Sequence, residues 1–245
     1  MPTGTNDFDA PAPSDPSSPG QNNSMIPGRI LMGGGSNSAT GRWLWATGFE
    51  SGLGEIEFSN ASYQTIENNW VYQGSNSFKL TTPATINSIE GLQKILFPQG
   101  KRFGVEFVMA MPLSPVASRE TRISIIGQTE GGGRSTGTIL IAINAVNDGD
   151  LFYENNGSKT LISQIDDYIV DSSSFFHYIK FVFDPWTNKY IRLYFDDVIF
   201  ELNGISGYAT ATKTKHIGID ITLKNISGGQ PINYIDNLII TADEP

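Results

Sequence analysis

Apolar residues recur at every second position through most of this chain, a spacing that suits extended strands and not helices. Ile217, Ile219, Ile221 and Leu223 alternate with Gly218, Asp220 and Thr222, the pattern of a strand with one buried and one solvated face. Val105, Phe107 and Met109 repeat it against Glu106, Val108 and Ala110, and Ile123 and Ile125 repeat it against Arg122 and Ser124. Ile191, Leu193 and Phe195 alternate with Tyr190, Arg192 and Tyr194. Over 139–143 both alternating sets are largely apolar, so both faces there are expected to be covered. Turn formers separate these runs: Asn147-Asp148-Gly149-Asp150, Asn155-Asn156-Gly157, the stretch 184–188, Asp196-Asp197 and Asn203-Gly204. No stretch of ten residues reads as an amphipathic helix, and 162–168 comes nearest. Strands at this spacing predict an all-β, two-sheet sandwich or barrel.

The first 42 residues follow another rule. Six of the 13 prolines fall there, and Gly33-Gly34-Gly35 closes the segment. Such a stretch has too little apolar surface to order itself, so 1–42 reads as an extended N-terminal arm or linker and 43–245 as one folded unit. Met25-Ile26 and Ile30-Leu31-Met32 are its candidate anchors. An arm of this kind gains order by docking, which predicts a homo-oligomer or a larger protein assembly. Residues 1–24 hold no Lys or Arg and no apolar core, so they do not read as a signal peptide. No run reaches the roughly 18–20 apolar residues of a membrane span, so membrane insertion is not expected.

Composition narrows the chemistry. The absence of cysteine excludes disulfides, thiol nucleophiles and Cys-ligated metals. Two histidines, His177 and His216, are too few for most His-rich metal centres. A formal charge of −9 argues against nucleic acid as a partner, because phosphate binding relies on basic patches. Carboxylates and aromatic rings are what remain.

Three segments resemble the concanavalin A-like, laminin-G-like jelly-roll superfamily of lectins and glucanases. They are Gly48-Phe49-Glu50-Ser51-Gly52 with Trp70 and the run from Gly74 to Leu80; the paired stretch from Phe176 to Asp184 and from Tyr190 to Asp197; and the closing run from Tyr234 to Ile240. The resemblance implies a jelly-roll sandwich over 43–245. It also implies a structural calcium held by Glu50 and Asp236 with main-chain oxygens near Gly74 or Ser77. A hard cation takes six to eight oxygens, which loops at a sandwich end can supply. The alternative is that Glu50 is a surface carboxylate and Asp236 binds backbone amides.

Catalysis finds little support. Glu55-Ile56-Glu57 sets two acids on one strand face, but Ser59 and Asn60 follow where the family's glycosidases carry a third acid, and a charged edge strand accounts for the pair. Asp166-Asp167 has no evident partner. Gly131-Gly132-Gly133-Arg134 lacks the Lys-Ser/Thr and helix of a phosphate loop. His177 reads as a half-buried sheet histidine, and Arg119 and Arg122 around Glu120 as a charged surface strand. Aromatics carry the better signal: Trp186, Tyr190, Arg192 and Tyr194 would form a sugar-stacking platform if they share a face, or else a subunit interface. The expectation is therefore a non-catalytic structural or attachment protein at a virion or extracellular surface, held by its arm. The alternative is a carbohydrate-binding module or lectin-like adhesin, and a glycoside hydrolase or polysaccharide lyase comes behind both.

Overall fold

The computed structural model describes residues 41–53, 56–58, 61–97, 100–112, 118–128, 133–144, 149–165, 176–210 and 216–245. The predicted arm, apart from Gly41 and Arg42, lies outside them, as do Glu55, Asp166, Asp167, Gly131 and Gly132. The alternating segments form strands β1 (Arg42–Thr47), β2 (Glu57–Phe58), β3 (Gln64–Glu67), β4 (Ser77–Thr81), β5 (Ile89–Leu96) and β6 (Phe103–Ala110). There follow β7 (Arg119–Gln128), β8 (Arg134–Ile143), β9 (Gly149–Asn155), β10 (Ser158–Gln164) and β11 (Phe176–Asp184). The last are β12 (Lys189–Phe195), β13 (Val198–Glu201), β14 (Tyr208–Ala209), β15 (His216–Asn225) and β16 (Ile232–Ala242). Among the described residues the helical content is one 3-10 turn, Ala61–Tyr63, so no helix is long and apolar enough to cross a membrane.

Two antiparallel sheets make the jelly-roll sandwich. The first runs β13-β12-β11-β6-β16-β4-β3, with β1 also on β16; the second runs β10-β9-β8-β7-β15-β5-β2, with β14 on β8. The period-two residues do what their spacing predicts. Val105, Phe107 and Met109 of the first sheet share one core with Ile123, Ile125, Ile219 and Ile221 of the second, each at most 1% exposed. Full burial of each such side chain contributes about 1.5–3 kcal/mol. Tight turns set the register. Asn156 and Gly157 both have positive φ, 50° and 80°, which fits the type I′ loop that matches strand twist between β9 and β10.

One strand departs from simple alternation. Val182 of β11 pairs with Arg192 while Phe183 pairs with Tyr190, leaving Ile191 as an extra, bulged residue. Tyr190 and Arg192 therefore face opposite sides of the sheet. Arg119 departs from expectation as well. It is 1% exposed and inside the sandwich, because it sits on the core-facing set of β7 with Thr121 and Ile123. Its Nη1 donates to the Pro112 carbonyl at 2.8 Å, and burial lowers its pKa to about 10.

The first and last strands meet at one corner. Arg42 pairs with Ala242, and its Nε lies 3.4 Å from Asp243 Oδ2. Just beyond, Glu244 turns into the sheet, where its carboxylate meets Thr241 and lies 2.9 Å from Lys180 Nζ. A Cβ on Gly41 or Gly104 would come within 2.7 or 2.9 Å of that carboxylate, so both positions need to stay small.

Gly137 of β8 lets the two sheets approach, since a Cβ there would fall against the ring of Phe183. Gly137→Ala is expected to destabilise the fold by about 1–3 kcal/mol through overpacking, read as a lower urea midpoint at unchanged m-value.

Candidate functional site

Burying the odd-numbered residues of β15 turns Gly218, Asp220, Thr222 and Lys224 to the outer face of the second sheet. Asp220 pairs with Gln93 on one side and Ser124 on the other. Ser124 in turn pairs with Thr138, and Thr138 with Glu154. Glu57 lies beyond Gln93 and Lys159 beyond Glu154. The register thus lines up seven polar side chains across seven strands, about 4.8 Å apart from strand to strand. Side-chain bonds tie the row together: Gln93 Nε2 donates to Asp220 Oδ1 at 2.7 Å, and the Ser124 and Thr138 hydroxyls lie 3.0 Å apart.

Two depressions open on this face. One, of 310 Å³, is bounded by Glu57, Phe58, Ile89, Gln93 and Asp220. The other, of 430 Å³, is bounded by Arg122, Arg134, Thr136, Glu154, Asn156 and Tyr208. Charges between them are mostly matched. Arg122 meets Glu120 at 3.0 Å and Glu154 at 2.8 Å, and Lys159 also meets Glu120. Burial alone would raise the pKa of Glu120, but the hydrogen bonds from Lys159 and Arg122 outweigh it and hold the carboxyl below its usual range. Among the described residues no cation pairs with Asp220, and burial raises its pKa against the opposing hydrogen bond from Gln93.

The predicted aromatic platform does not assemble. Trp186 sits in the turn between β11 and β12, 41% exposed, donating its Nε1–H to the Gly100 carbonyl at 2.9 Å. Tyr190 is fully buried, a correction forced by the Ile191 bulge. Its hydroxyl receives the Thr138 N–H at 2.8 Å and donates to the Glu154 carbonyl at 2.6 Å. Arg192 and Tyr194 do share the outer face of the first sheet, 3.3 Å apart. Arg192 is occupied by the carbonyl of Pro245 at 2.9 Å, and the Tyr194 ring by Lys180. His177 lies on β11 and is buried rather than half-buried, stacked on Phe195 with Nδ1 2.8 Å from Asp196 Oδ2.

Glu50 and Asp236 are brought to one loop. Asp236 Oδ2 accepts the amides of Tyr72 and Gln73 at 3.0 Å each, and Oδ1 that of Asn237 at 2.7 Å. Glu50 Oε1 accepts the amides of Ser75 and Asn76 at 2.7 and 2.9 Å. Gly74, at φ 80°, lets the loop close over Glu50, whose carboxylate occupies the space a Cβ would need. Among the described residues no three Asp, Glu or His gather as a metal cluster. A carboxylate offers about four acceptor sites, more than these amides fill, so the donor set leaves room for a hard cation. Burial raises the pKa of Asp236 to about 7 against its three amide bonds, and the charge of Glu50 adds to the rise.

The face of the second sheet escaped the motif reading. Asp220 was visible only as the polar half of a strand repeat, and its partners Gln93, Ser124 and Thr138 join it through register alone. No protein-family model and no curated protein matches the chain. Solved structures do. Cellulose induced protein Cip1 superposes with a TM-score of 0.55 at 13% identity, covering 81% of this chain and 97% of that one. The carbohydrate recognition domain of Emp46p, in a potassium-bound form, gives 0.51 at 10% identity, covering 83% and 100%. A glycoside hydrolase family 16 endo-glucanase from Bacteroides ovatus gives 0.50 at 11% identity, covering 80% and 99%. The chain has the fold of the concanavalin A-like lectin and glucanase jelly rolls.

Because the folded-state pKa of Asp236 lies above the ordinary 3.8, the native state binds the extra proton. Its stabilising contribution is complete below about pH 4, falls as pH rises toward 7, and is level beyond. In chelator-containing buffer the melting temperature should fall between pH 5 and pH 7.5, and Asp236→Asn should flatten that slope.

Proposed function

We propose that this protein is a non-catalytic carbohydrate-binding module whose ligand lies across the outer face of the second sheet. The observation that carries this is the polar row from Glu57 to Lys159, flanked by the two depressions. Aligned hydroxyl, amide and carboxylate groups on a rigid sheet suit the hydroxyls of a sugar chain, and preorganisation limits the entropy lost on binding. The fold's occurrence in a carbohydrate recognition domain and a glucanase is compatible with either binding or hydrolysis. The neighbours of Asp220 favour binding. Glycosidases of the usual kind need two carboxyls flanking the scissile bond. On this face the residues next to Asp220 are Gln93, Ser124, Gly218, Thr222, Arg122 and Ile126, none of them acidic; the next carboxyl in its row, Glu57, stands two strands away beyond Gln93, whose amide already binds Asp220. Glu120 and Glu154 are bound to cations.

Two further parts complete the proposal. Glu50 and Asp236 would hold a structural calcium, whose charge would relieve the repulsion between them and pin the 70–76 loop. Millimolar calcium is then expected to raise the melting temperature of the wild type and not of Asp236→Asn; equal melting in calcium and chelator removes the metal from the proposal. The composition of 1–42 supports a tether that fixes the module to a particle or partner, at a virion or extracellular surface. Deleting 2–40 should abolish assembly while sparing the sandwich.

Binding itself is checked on a broad glycan array followed by calorimetry. Gln93→Ala and Asp220→Ala should each weaken the best ligand tenfold or more without loss of the folded state. Silence of the wild type across the array would overturn the reading.

A further inference from the structure

We infer that the end of this face around Arg134 receives an anionic substituent of the sugar, a carboxylate or a sulfate ester; the inference rests on the glycan reading above. Among the described residues, Arg134 and Lys224 are the bases of this face outside its ion pairs, and Arg134 is the one that lines a depression. Glu120, Arg122, Glu154 and Lys159 form a closed set of two acids and two bases. Arg134 lines the larger depression outside that set, and among the described residues it meets no carboxylate. Its guanidinium lies over the ring of Tyr208, 6.0 Å from the centroid. Tyr208 is itself fixed by the pairing of β14 with Thr136. A guanidinium that rests over a ring and meets no carboxylate has N–H donors left for a planar, two-oxygen acceptor.

Polar groups around it extend the same site. Thr136 lines the depression beside Arg134. Register places Gln128 beside Arg134 and His216 beside Gln128. The His216 ring is 3.0 Å from Gln128 Oε1 and packs against Phe97, which is 81% exposed. Aromatic rings therefore stand at both ends of a short polar row, where a sugar face can stack.

The smaller depression has the opposite character. Glu57 and Asp220 line it, with no basic residue. An anionic unit is repelled there and attracted at Arg134, so the face sets the direction in which a charged chain lies. The attraction is local, since the protein as a whole carries −9.

The test pairs polygalacturonate with its carboxyl-reduced form, and dextran sulfate with dextran, on the full chain by calorimetry at low and at physiological salt. The wild type should favour at least one anionic polymer over its neutral counterpart by tenfold or more, and the preference should shrink with salt. Arg134→Gln should abolish the preference at an unchanged melting temperature, and Arg134→Lys should retain part of it. The sulfate pair against the carboxylate pair decides which anion is taken. Equal affinity for charged and neutral forms, or a preference that survives Arg134→Gln, overturns the inference while leaving the glycan reading standing. No binding of these four polymers, together with a silent glycan array, overturns both.

Discussion

The register of β15 against β7 and β5 is the constraint on which the rest depends. Ile217, Ile219, Ile221 and Leu223 must face the core, and a one-residue slip would put all four in water. That cost, several buried aliphatic side chains at once, fixes Asp220 on the outer face opposite Gln93 and Ser124. A polar row needs no attraction of its own to assemble. It is the solvent side of a hydrophobic requirement, which is why it can hold groups as dissimilar as Glu57, Thr138 and Lys159 in one line.

Legibility in the sequence follows the range of the forces involved. Strand alternation is local, so the all-β class, most core faces and the turns at Asn156-Gly157 and 184–188 could be read directly. Pairing is not local. The face that matters joins residues from positions 57 to 220, and nothing in any single segment marks Gln93 as the partner of Asp220. The Ile191 bulge is the sharpest case. Tyr190, Arg192 and Tyr194 look like one face in sequence, and a single extra residue against Val182 and Phe183 sends Tyr190 into the core. Arg119 and Arg122 flank Glu120 in sequence as one charged surface would, yet three positions along a strand separate opposite faces. The loop that joins Glu50 to Asp236 was foreseeable only through family resemblance, since it closes over 186 residues of chain.

Charge on the second sheet is organised by pairing more than by amount. An acidic protein can still present a locally positive spot if its acids are already engaged, and Glu120 and Glu154 are engaged by Arg122 and Lys159. Ion pairs on a half-buried sheet contribute modestly to stability. Their larger effect here is subtractive, because they remove four charges from play and leave Glu57 and Asp220 at one depression and Arg134 at the other.

The corner where β1 meets β16 has a mechanical meaning. Arg42 and Ala242 are the outermost pair of an antiparallel ladder, so tension applied between the two ends of the described chain would peel hydrogen bonds apart one pair at a time, a geometry that yields at low force. Tension between residue 41 and a point on the outer face of the second sheet takes another path. It crosses the sandwich core and is shared by many strands at once. The sandwich is thus weak as a link in series through the ends of β1 and β16 and strong under a load that enters at residue 41 and leaves through the far sheet, with Glu244 lodged beside Gly41 as the bolt at the point of entry.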